Sequence, residues 1–377
     1  MEGPLAGTRV LELAGIGPAP FGGMLLADLG ADVVRVDRPV GGPVVPGPAN
    51  VLGRGRRSIA LDLKAPTARQ VVLRLVERVD VFIEGFRPGV AERLGLGPQE
   101  CAERNPRLVY ARMTGYGQTG PLAARAGHDL NYLATAGALH PIGPADRPPP
   151  PPLNFVGDFG GGGTFLVIGV LAALIERERS GRGQVIDAAM VDGVAAMTAM
   201  FHGMRSAGMW QDERGVNALD GAAHFYRTYE TRDGKFMAVA AVEPQFYAEL
   251  LGRLELDPVE WPQHDRCRWP ELQMRLAALF TSRDRHEWEA VFAGADACVS
   301  PVLSLHEATQ HAHAIARDGF VQLDGVRQPA PAPRFSRTPG SIRCSSPRPG
   351  AHSIEVLRDA GFTDSEIQQL HGTDIRA

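Results

Sequence analysis

A run of glycines that carries one carboxylate lies directly before a long apolar segment. Asp158 lies in the run 157–163, which contains four consecutive glycines, and residues 165–175 are apolar. Asp is a common helix N-cap, so a structural role is one interpretation. A cap needs no glycines, and each weakens a helix by roughly 1 kcal/mol relative to alanine. We therefore expect a glycine-rich turn at a helix start, where bare backbone and free N–H groups favour an anionic ligand beside Asp158.

A second acid–base group precedes Asp158 by 30 residues. His128 is followed by Asp129 in the segment 126–132, after the glycine-rich stretch 114–121. A lone histidine is more often structural, but this spacing could bring an imidazole and a carboxylate to opposite sides of one cleft. Glu243 ends an apolar run before Pro244, where a surface turn is the alternative interpretation.

Alternating β-rich and amphipathic segments must position these groups. This alternation predicts a parallel sheet covered by helices, with strands at 8–13, 32–36, 58–63, 81–84 and 108–114 and helices at 21–29, 66–79, 88–94, 161–179 and 187–207. From residue 222 a hairpin is predicted, followed by helices at 244–253, 268–281 and 285–293, an extended connection at 325–349 and two helical pieces at 353–370. The sequence therefore predicts an α/β fold, with a large Rossmann-like domain at 1–210 and a smaller α+β domain at 211–324.

Residues near the first two strands are candidates for binding a nucleotide. Gly15 and Gly17 follow the first strand, but Pro20 stands where a dinucleotide fingerprint needs its third glycine. This argues against a nicotinamide cofactor. Arg38, at the end of the second strand, suits an adenosine with a ribose phosphate, as in NADP or coenzyme A, or is an ordinary surface arginine.

Other charged groups are less specific. The three arginines before the third strand could bind a pyrophosphate or form a solvated basic patch: Arg54, Arg56 and Arg57. Glu84 and Arg87 form an expected charge pair at the carboxyl end of a strand, where α/β proteins tend to bind ligands.

Composition excludes several classes of protein. The formal charge of −4 and the absence of long basic runs argue against nucleic-acid binding. The four cysteines have no zinc-site spacing and suit a reducing cytosol, and His306 and His311 are one residue too far apart for an HExxH metal site. Residues 1–5 do not start a signal peptide, and no segment reaches ~18 uninterrupted apolar residues. We expect a cytoplasmic protein without a metal, a membrane partner or a prosthetic group.

Several segments together resemble the family III coenzyme A transferases and, within them, the α-methylacyl-CoA racemases. The most specific are ADLGADVVRVDRP at 27–39, RSIALDLK at 57–64, AGHDLNY at 126–132, NFVGDFGGGG at 154–163 and VEPQFY at 242–247. The transferases use the aspartate of the glycine-rich turn as a nucleophile and typically have Tyr where this chain has His128. His128 and Glu243 both favour the racemase group.

The resemblance implies that the protein inverts the α-carbon of 2-methylacyl-CoA thioesters. His128 would remove the proton of the 2S substrate, Asp158 that of the 2R substrate, and Glu243 would contact His128. Arg38 would hold the adenosine phosphate. The remaining coenzyme A contacts would come from Arg87 and from two stretches, Leu61, Asp62, Leu63 and Lys64 along the nucleotide, and Ala126, Gly127, Asp129, Leu130 and Asn131 along the pantetheine and thioester.

The resemblance also implies an interlocked homodimer, and a C-terminal segment, 325–377, that returns to complete the large domain. Two rival functions stay open at this point. One is a coenzyme A transferase in which Asp158 accepts the acyl group, and the other is an acyl-CoA-binding protein without turnover.

Overall fold

The computed structural model describes residues 3–40, 45–371 and 375–376 of the 377-residue chain. Met1 and Glu2, part of the N-terminus analysed for a signal peptide, lie outside the described residues. The chain forms two compact units: a large one of Met1–Ala136, Pro152–Met197 and His313–Ala377, and a smaller one of Gly137–Pro151 and Thr198–Ala312. These bounds differ from the predicted ones at 137–151 and 198–210, which belong to the smaller unit, and at 313–324, which belongs to the large one.

The strands are short, as is usual in α/β proteins. They are β1 Arg9–Leu13, β2 Asp32–Asp37, β3 Arg56–Leu61, β4 Val81–Glu84, β5 Val109–Thr114, β6 Val185–Ala189, β7 Tyr226–Glu230, β8 Phe236–Ala240, β9 Val299–Pro301, β10 Phe320–Leu323, β11 Val326–Pro329 and β12 Ile375–Arg376.

Among the described residues, fifteen α-helices and one π-helix, Phe155–Thr164, connect and cover the strands. The α-helices are α1 Pro18–Asp28, α2 Pro66–Val76, α3 Val90–Arg93, α4 Pro98–Arg104, α5 Asp129–Thr135, α6 Phe165–Ser180, α7 Met190–Met197, α8 Ala199–Ser206, α9 Pro244–Arg253, α10 Trp269–Phe280, α11 Arg285–Val291, α12 Leu305–Ala308, α13 Ala312–Ala316, α14 Ser353–Asp359 and α15 Asp364–His371.

The large unit is built on a sheet with the strand order of a Rossmann fold. Its order is β12-β3-β2-β1-β4-β5-β6, and all neighbours are parallel except β12. The order reverses direction at β1 and β4, and ligands of open α/β sheets bind outside the carboxyl ends of strands at such a point. The predicted α/β class with a Rossmann-like sheet is confirmed.

The C-terminal segment packs onto the edge of this sheet. Strand β12 pairs antiparallel with β3, and His352 Nδ1 accepts the N–H of Ser58 at 3.1 Å. Arg57 donates to Glu355 at 2.9 Å and to Asp359 at 2.6 Å, both on α14. The end of the chain thus covers the β3 edge of the large sheet.

The three arginines beside β3 form internal ion pairs rather than a basic patch. Arg54 pairs with Asp28 at 2.5 Å, and Arg56 pairs with Glu12 at 2.7 Å with both side chains fully buried. Gly23 of α1 leaves room for the second pair, because an added Cβ would clash with both partners. Arg57 bonds Asp32 as well as α14. The sequence-based alternatives, a pyrophosphate site and a solvated patch, are both wrong here, because buried charges need partners.

Glu84 does not pair with Arg87 as expected. Its buried carboxylate accepts from Arg112 at 2.9 Å and from the N–H of Phe86 at 2.7 Å. Arg112, on the neighbouring strand β5, lies in register with Glu84. Glu84 therefore pairs with this cross-strand residue rather than with Arg87, which is close in sequence.

Two segments differ from their predicted structure. The predicted helix at 187–207 begins instead with strand β6, which pairs with β5, and the helix that follows is broken between α7 and α8. The alanines at 188 and 189 favour a helix in the sequence pattern. The segment forms a strand instead, because it pairs with β5. Within the predicted extended connection, β11 pairs antiparallel with β10.

The smaller unit has an antiparallel sheet and an aromatic core. The predicted hairpin is confirmed as β7 and β8, and β9 pairs with β8 on the other side. Helices α9, α10 and α11 supply much of the core, in which Tyr229 stacks on Phe280 with ring centroids 5.1 Å apart. All four tryptophans of the chain lie in this unit.

His224 is an ionisable group buried in this aromatic core. Tyr247 donates its hydroxyl proton to the carbonyl oxygen of Trp261 at 3.0 Å, so His224 Nε2 donates to the Tyr247 oxygen at 2.6 Å. Nδ1 is then the unprotonated nitrogen, and it has no partner among the described residues. Burial lowers the pKa of His224 to about 4, because protonation would place a charge among aromatic rings.

We expect the smaller unit to become less stable as the pH is lowered, because of His224. The unfolded chain, with an ordinary histidine pKa near 6.5, binds the proton that the folded core rejects. The free energy of unfolding is therefore greatest above pH 6.5 and should decrease by about 2 kcal/mol between pH 7 and pH 5. Urea unfolding followed by tryptophan fluorescence measures this in the smaller unit. His224→Gln should flatten the slope, whereas the exposed His286→Gln should keep it; equal slopes in both variants would contradict this account.

Candidate active site

Asp158 lies in the π-helix, where the turn was expected. Glycines of this helix are packed against protein backbone: an added Cβ at Gly163 would lie 2.7 Å from the carbonyl oxygen of Pro18 in α1, and one at Gly161 would lie 2.7 Å from the N atom of Val194 in α7. Gly193 of α7 approaches Gly161 so closely that a Cβ would clash with its carbonyl. The glycines therefore serve close packing of helices onto the π-helix, and the expectation that they expose backbone to a ligand is wrong for these two.

Hydrogen bonds hold both the backbone and the side chain of Asp158. Its N–H donates to Asp129 Oδ1 at 2.7 Å, and Asn154 Nδ2 donates to Asp158 Oδ2 at 3.3 Å. Gly17, with φ 68°, lies on the other side, where an added Cβ would be 2.8 Å from Asp158 Oδ2. The loop after β1 therefore reaches the carboxylate.

The surroundings of Asp158 raise its pKa. Burial is the main cause, and the negative charge of Asp129 adds to it, while the Asn154 hydrogen bond and His128 act in the opposite direction. A carboxyl group of raised pKa is suited to both taking and returning a proton.

His128 lies beside Asp158, at the start of α5. It is the N-cap residue, its N–H donates to Asn131 Oδ1 at 3.1 Å, and its side chain is exposed. The imidazole acts electrostatically on Asp158. The structure thus brings together the two acid–base groups that the sequence singled out, one on α5 and one on the π-helix.

Tyr132 fixes the peptide that precedes His128. Its hydroxyl donates to the carbonyl oxygen of Gly127, and its ring packs edge-on against Tyr116 with centroids 4.9 Å apart. Glycine is required at 115 and 127, since added Cβ atoms would clash with this ring. Burial raises the pKa of Tyr132 to about 12, so the hydroxyl keeps its proton for the Gly127 bond. Sequence analysis missed this residue, although the two nearby glycines were a signal.

A cavity of about 360 Å³ opens at the carboxyl ends of β1 and β2, at the reversal point of the sheet. It is lined by Gly15, Ile16 and Gly17 of the loop that touches Asp158, and by Arg35, Asp37, Arg38, Val40, Val45, Asn50, Leu52, Gly53 and Pro349 among others. Arg38 is exposed in this cavity.

Arg35 is a second cation in this cavity and was not predicted. It donates from Nε to Asp37 Oδ1 at 2.9 Å, and Asp37 also accepts from Ser58 at 2.5 Å. Arg35 Nη2 is buried without a hydrogen-bond partner among the described residues. An arginine at an otherwise apolar strand position was the available signal in the sequence.

The other predicted contact residues are placed as follows. Leu61 is buried in the core of the large unit, Leu63 packs against that core, and Asp62 and Lys64 are exposed at the carboxyl end of β3. Arg87 is exposed and acts electrostatically on Tyr132. Ala126 and Leu130 are exposed beside His128, whereas Gly127, Asp129 and Asn131 are engaged in the contacts given above. Glu243 lies in the smaller unit, exposed at the N-cap of α9.

In the ranges 3–40, 45–371 and 375–376, no three His, Cys, Asp or Glu side chains cluster as metal ligands. Glu307, from the segment that resembled HExxH, is bound by Arg285 at 2.5 Å.

Comparison with known proteins agrees with this geometry. The sequence profile of "CoA-transferase family III" matches residues 5–353. The chain is 48% identical to alpha-methylacyl-CoA racemase of Mus musculus and 45% identical to that of Homo sapiens, in each case over 98% of this chain and 97% of the relative. A crystal structure of a CAIB/BAIF family protein from Brucella suis superposes with a TM-score of 0.81 at 28% identity, covering 96% of this chain and all of that one. The chain belongs to CoA-transferase family III.

We expect Gly157→Ala to disrupt the local structure around Asp158. An added methyl group would clash with Asp129 Oδ1 and lie 2.8 Å from its Cγ, so it would break the hydrogen bond that the Asp158 N–H donates to Asp129. Amide hydrogen exchange of the peptide 155–164 should become faster, and the protein should lose about 1–3 kcal/mol of stability.

Gly203→Ala is the matched control, because no atom lies within 4 Å of an added Cβ at this site in α8. It should leave exchange at 155–164 unchanged. Wild-type protection of that peptide in Gly157→Ala would show that the Asp129 contact does not hold the π-helix.

Proposed function

We propose that the protein epimerises 2-methylacyl-CoA thioesters by proton transfer at the α-carbon, as an isomerase. One observation carries the proposal: an imidazole and a carboxyl group of raised pKa lie side by side at the carboxyl ends of the parallel strands, in a chain 48% identical to an alpha-methylacyl-CoA racemase.

The chemistry needs two acid–base groups. A proton leaves one face of the α-carbon, a planar enolate forms, and another proton arrives at the opposite face. His128 removes the proton of the 2S substrate and Asp158 that of the 2R substrate, and each acts as the acid in the reverse direction. The raised pKa of Asp158 reduces the free-energy cost of the protonated state that this role requires.

The coenzyme A part fits the cavity beside the site. Arg38 and Arg35 offer guanidinium groups for its phosphates, and the loop with Gly17 connects this cavity to Asp158. The exposed Asp62 and Lys64 lie along the nucleotide. The pantetheine and thioester follow the stretch from Ala126 to Asn131.

The glycine-rich segment is a poorer source of enolate-binding N–H groups than the sequence suggested. The N–H of Asp158 donates to Asp129, and that of Phe159 donates to the carbonyl oxygen of Asn154 at 3.3 Å. Both N–H groups are therefore occupied within the protein.

The protein acts as a homodimer in this proposal. One face of α6 presents an exposed apolar stripe that includes Ile168 and Ile175, 53% and 61% exposed, although the helix packs on β5, β6 and α1 of its own unit. The helical segment Phe155–Ser180 would by length and composition alone also suit a membrane. A second copy is the expected cover, with Glu243 of the partner subunit contacting His128. A cytoplasmic location and a reaction without cofactor stay predictions from the sequence.

We expect sedimentation velocity to give the mass of a dimer for the wild-type protein. Ile168→Glu should shift the equilibrium towards monomer, because it places a charge in the covered stripe. Val259→Glu, at an isolated residue that is 85% exposed in the smaller unit, should leave the dimer intact. A wild-type monomer at micromolar concentration, or flotation with lipid vesicles, would contradict the dimer.

The direct test of function uses a single stereoisomer of a 2-methylacyl-CoA in heavy water. Epimerisation with α-deuterium uptake is expected without any acceptor acid, since the two bases exchange their protons with solvent. His128→Tyr should reduce epimerisation by about 10²-fold or more and leave coenzyme A affinity unchanged, because the phosphates bind elsewhere.

The rival functions give other outcomes. Thioester exchange that depends on a free carboxylic acid acceptor would indicate a coenzyme A transferase, in which Asp158 accepts the acyl group. Binding without either reaction would indicate a non-catalytic acyl-CoA-binding protein. Full epimerase activity in His128→Tyr would overturn the two-base assignment.

A further inference from the structure

Asp129 is a buried carboxylate that takes no part in the proposed proton transfers. It is nine-tenths buried at the first position of α5, next to His128 in sequence. Oδ1 accepts the Asp158 N–H at 2.7 Å, and Oδ2 is buried without any hydrogen-bond partner among the described residues. A buried carboxylate with only one bond is costly, so its retention calls for a physical reason.

The structure leaves space for the Asp129 carboxylate and uses it to link two elements. Gly157 gives it space, because any Cβ there would clash with Oδ1. Asp129 also joins the two elements of the site. Helix α5 carries His128, the π-helix carries Asp158, and Asp129 Oδ1 accepts the Asp158 N–H, which links one element directly to the other.

We propose that Asp129 is a positioning residue that ties the Asp158 peptide to α5 and, through its uncompensated charge, tunes the proton affinity of the Asp158 side chain. It touches neither the α-carbon nor the leaving proton. This inference rests on the proposed epimerase function, because it assigns Asp129 a role in how Asp158 exchanges protons.

The negative charge of Asp129 can act on the Asp158 carboxylate because few other charged groups interact with that carboxylate. Among the described residues, the charged or ionisable groups that act on its carboxylate are Asp129 and His128, and Tyr132 interacts with it as well. Asn154 contributes a neutral hydrogen bond, and Gly17 of the loop after β1 brings no charge. In the part of the chain that the structure describes, no arginine or lysine donates to Asp129 Oδ2, so the negative charge of Asp129 is not neutralised at short range.

Two variants separate the hydrogen bond from the charge. Asp129→Asn keeps an oxygen that can accept the Asp158 N–H but removes the charge. The acid limb of the pH profile of kcat/KM, measured from the 2R substrate whose proton Asp158 takes, should move to lower pH by about 0.5–1 unit, and kcat should fall less than in a variant that also loses the hydrogen bond. Asp129→Ala loses both and should lower kcat by about 10- to 100-fold.

Asp187→Asn is the matched control, since Asp187 Oδ2 also accepts a single loop N–H, that of Gln118 at 2.9 Å. It should keep the wild-type pH profile. Thermal melting of each variant reports folding.

The outcomes distinguish this inference from the function on which it rests. A wild-type protein that does not epimerise would overturn both. An active wild type with an unmoved acid limb in Asp129→Asn would overturn only the role of Asp129, and so would an Asp129→Asn protein that cannot fold, because its amide oxygen can keep the bond. If Asp129→Ala fails to fold, Asp129→Asn alone decides.

Discussion

Close approach of bare backbone between the π-helix and its neighbouring helices is the constraint on which the candidate site depends. Gly161 and Gly193 bring the π-helix and α7 into contact, and Gly163 does the same with α1. A side chain at any of these positions would separate the helices by the width of a methyl group. Since a displacement of about 1 Å can cost 10²-fold in rate, this packing sets the precision with which Asp158 is placed.

The charges of the large unit are arranged around that packing. Glu12 and Arg56 are fully buried beneath α1, and their ion pair fits only because Gly23 has no side chain. Arg54 joins α1 to the segment before β3 through Asp28. These pairs engage Arg54 and Arg56, and Arg35 pairs with Asp37, whereas Arg38 is exposed and lines the cavity.

The sequence predicted the elements whose structure depends on residues close together in the chain. The apolar strands and the hairpin at β7 and β8 followed from residue types and spacing, and so did the choice of His128 and Asp158 as candidate acid–base groups. Strand β6 could not be predicted, because its place depends on pairing with β5, and the partner of Glu84 is a cross-strand arginine rather than Arg87. The glycines at 161 and 163 were recognised as unusual but interpreted as ligand-facing. Their function in helix packing depends on α1 and α7, which are separate in sequence.

The central claim is that this packing holds Asp158 and His128 on opposite faces of one substrate carbon. A crystal structure of the protein with a bound 2-methylacyl-CoA tests it most directly, by the distances from the α-carbon to the Asp158 carboxylate and the His128 imidazole. We predict that both groups approach the α-carbon to about 3–3.5 Å from opposite sides. Both groups on the same side, or one of them out of reach of the carbon, would contradict the account.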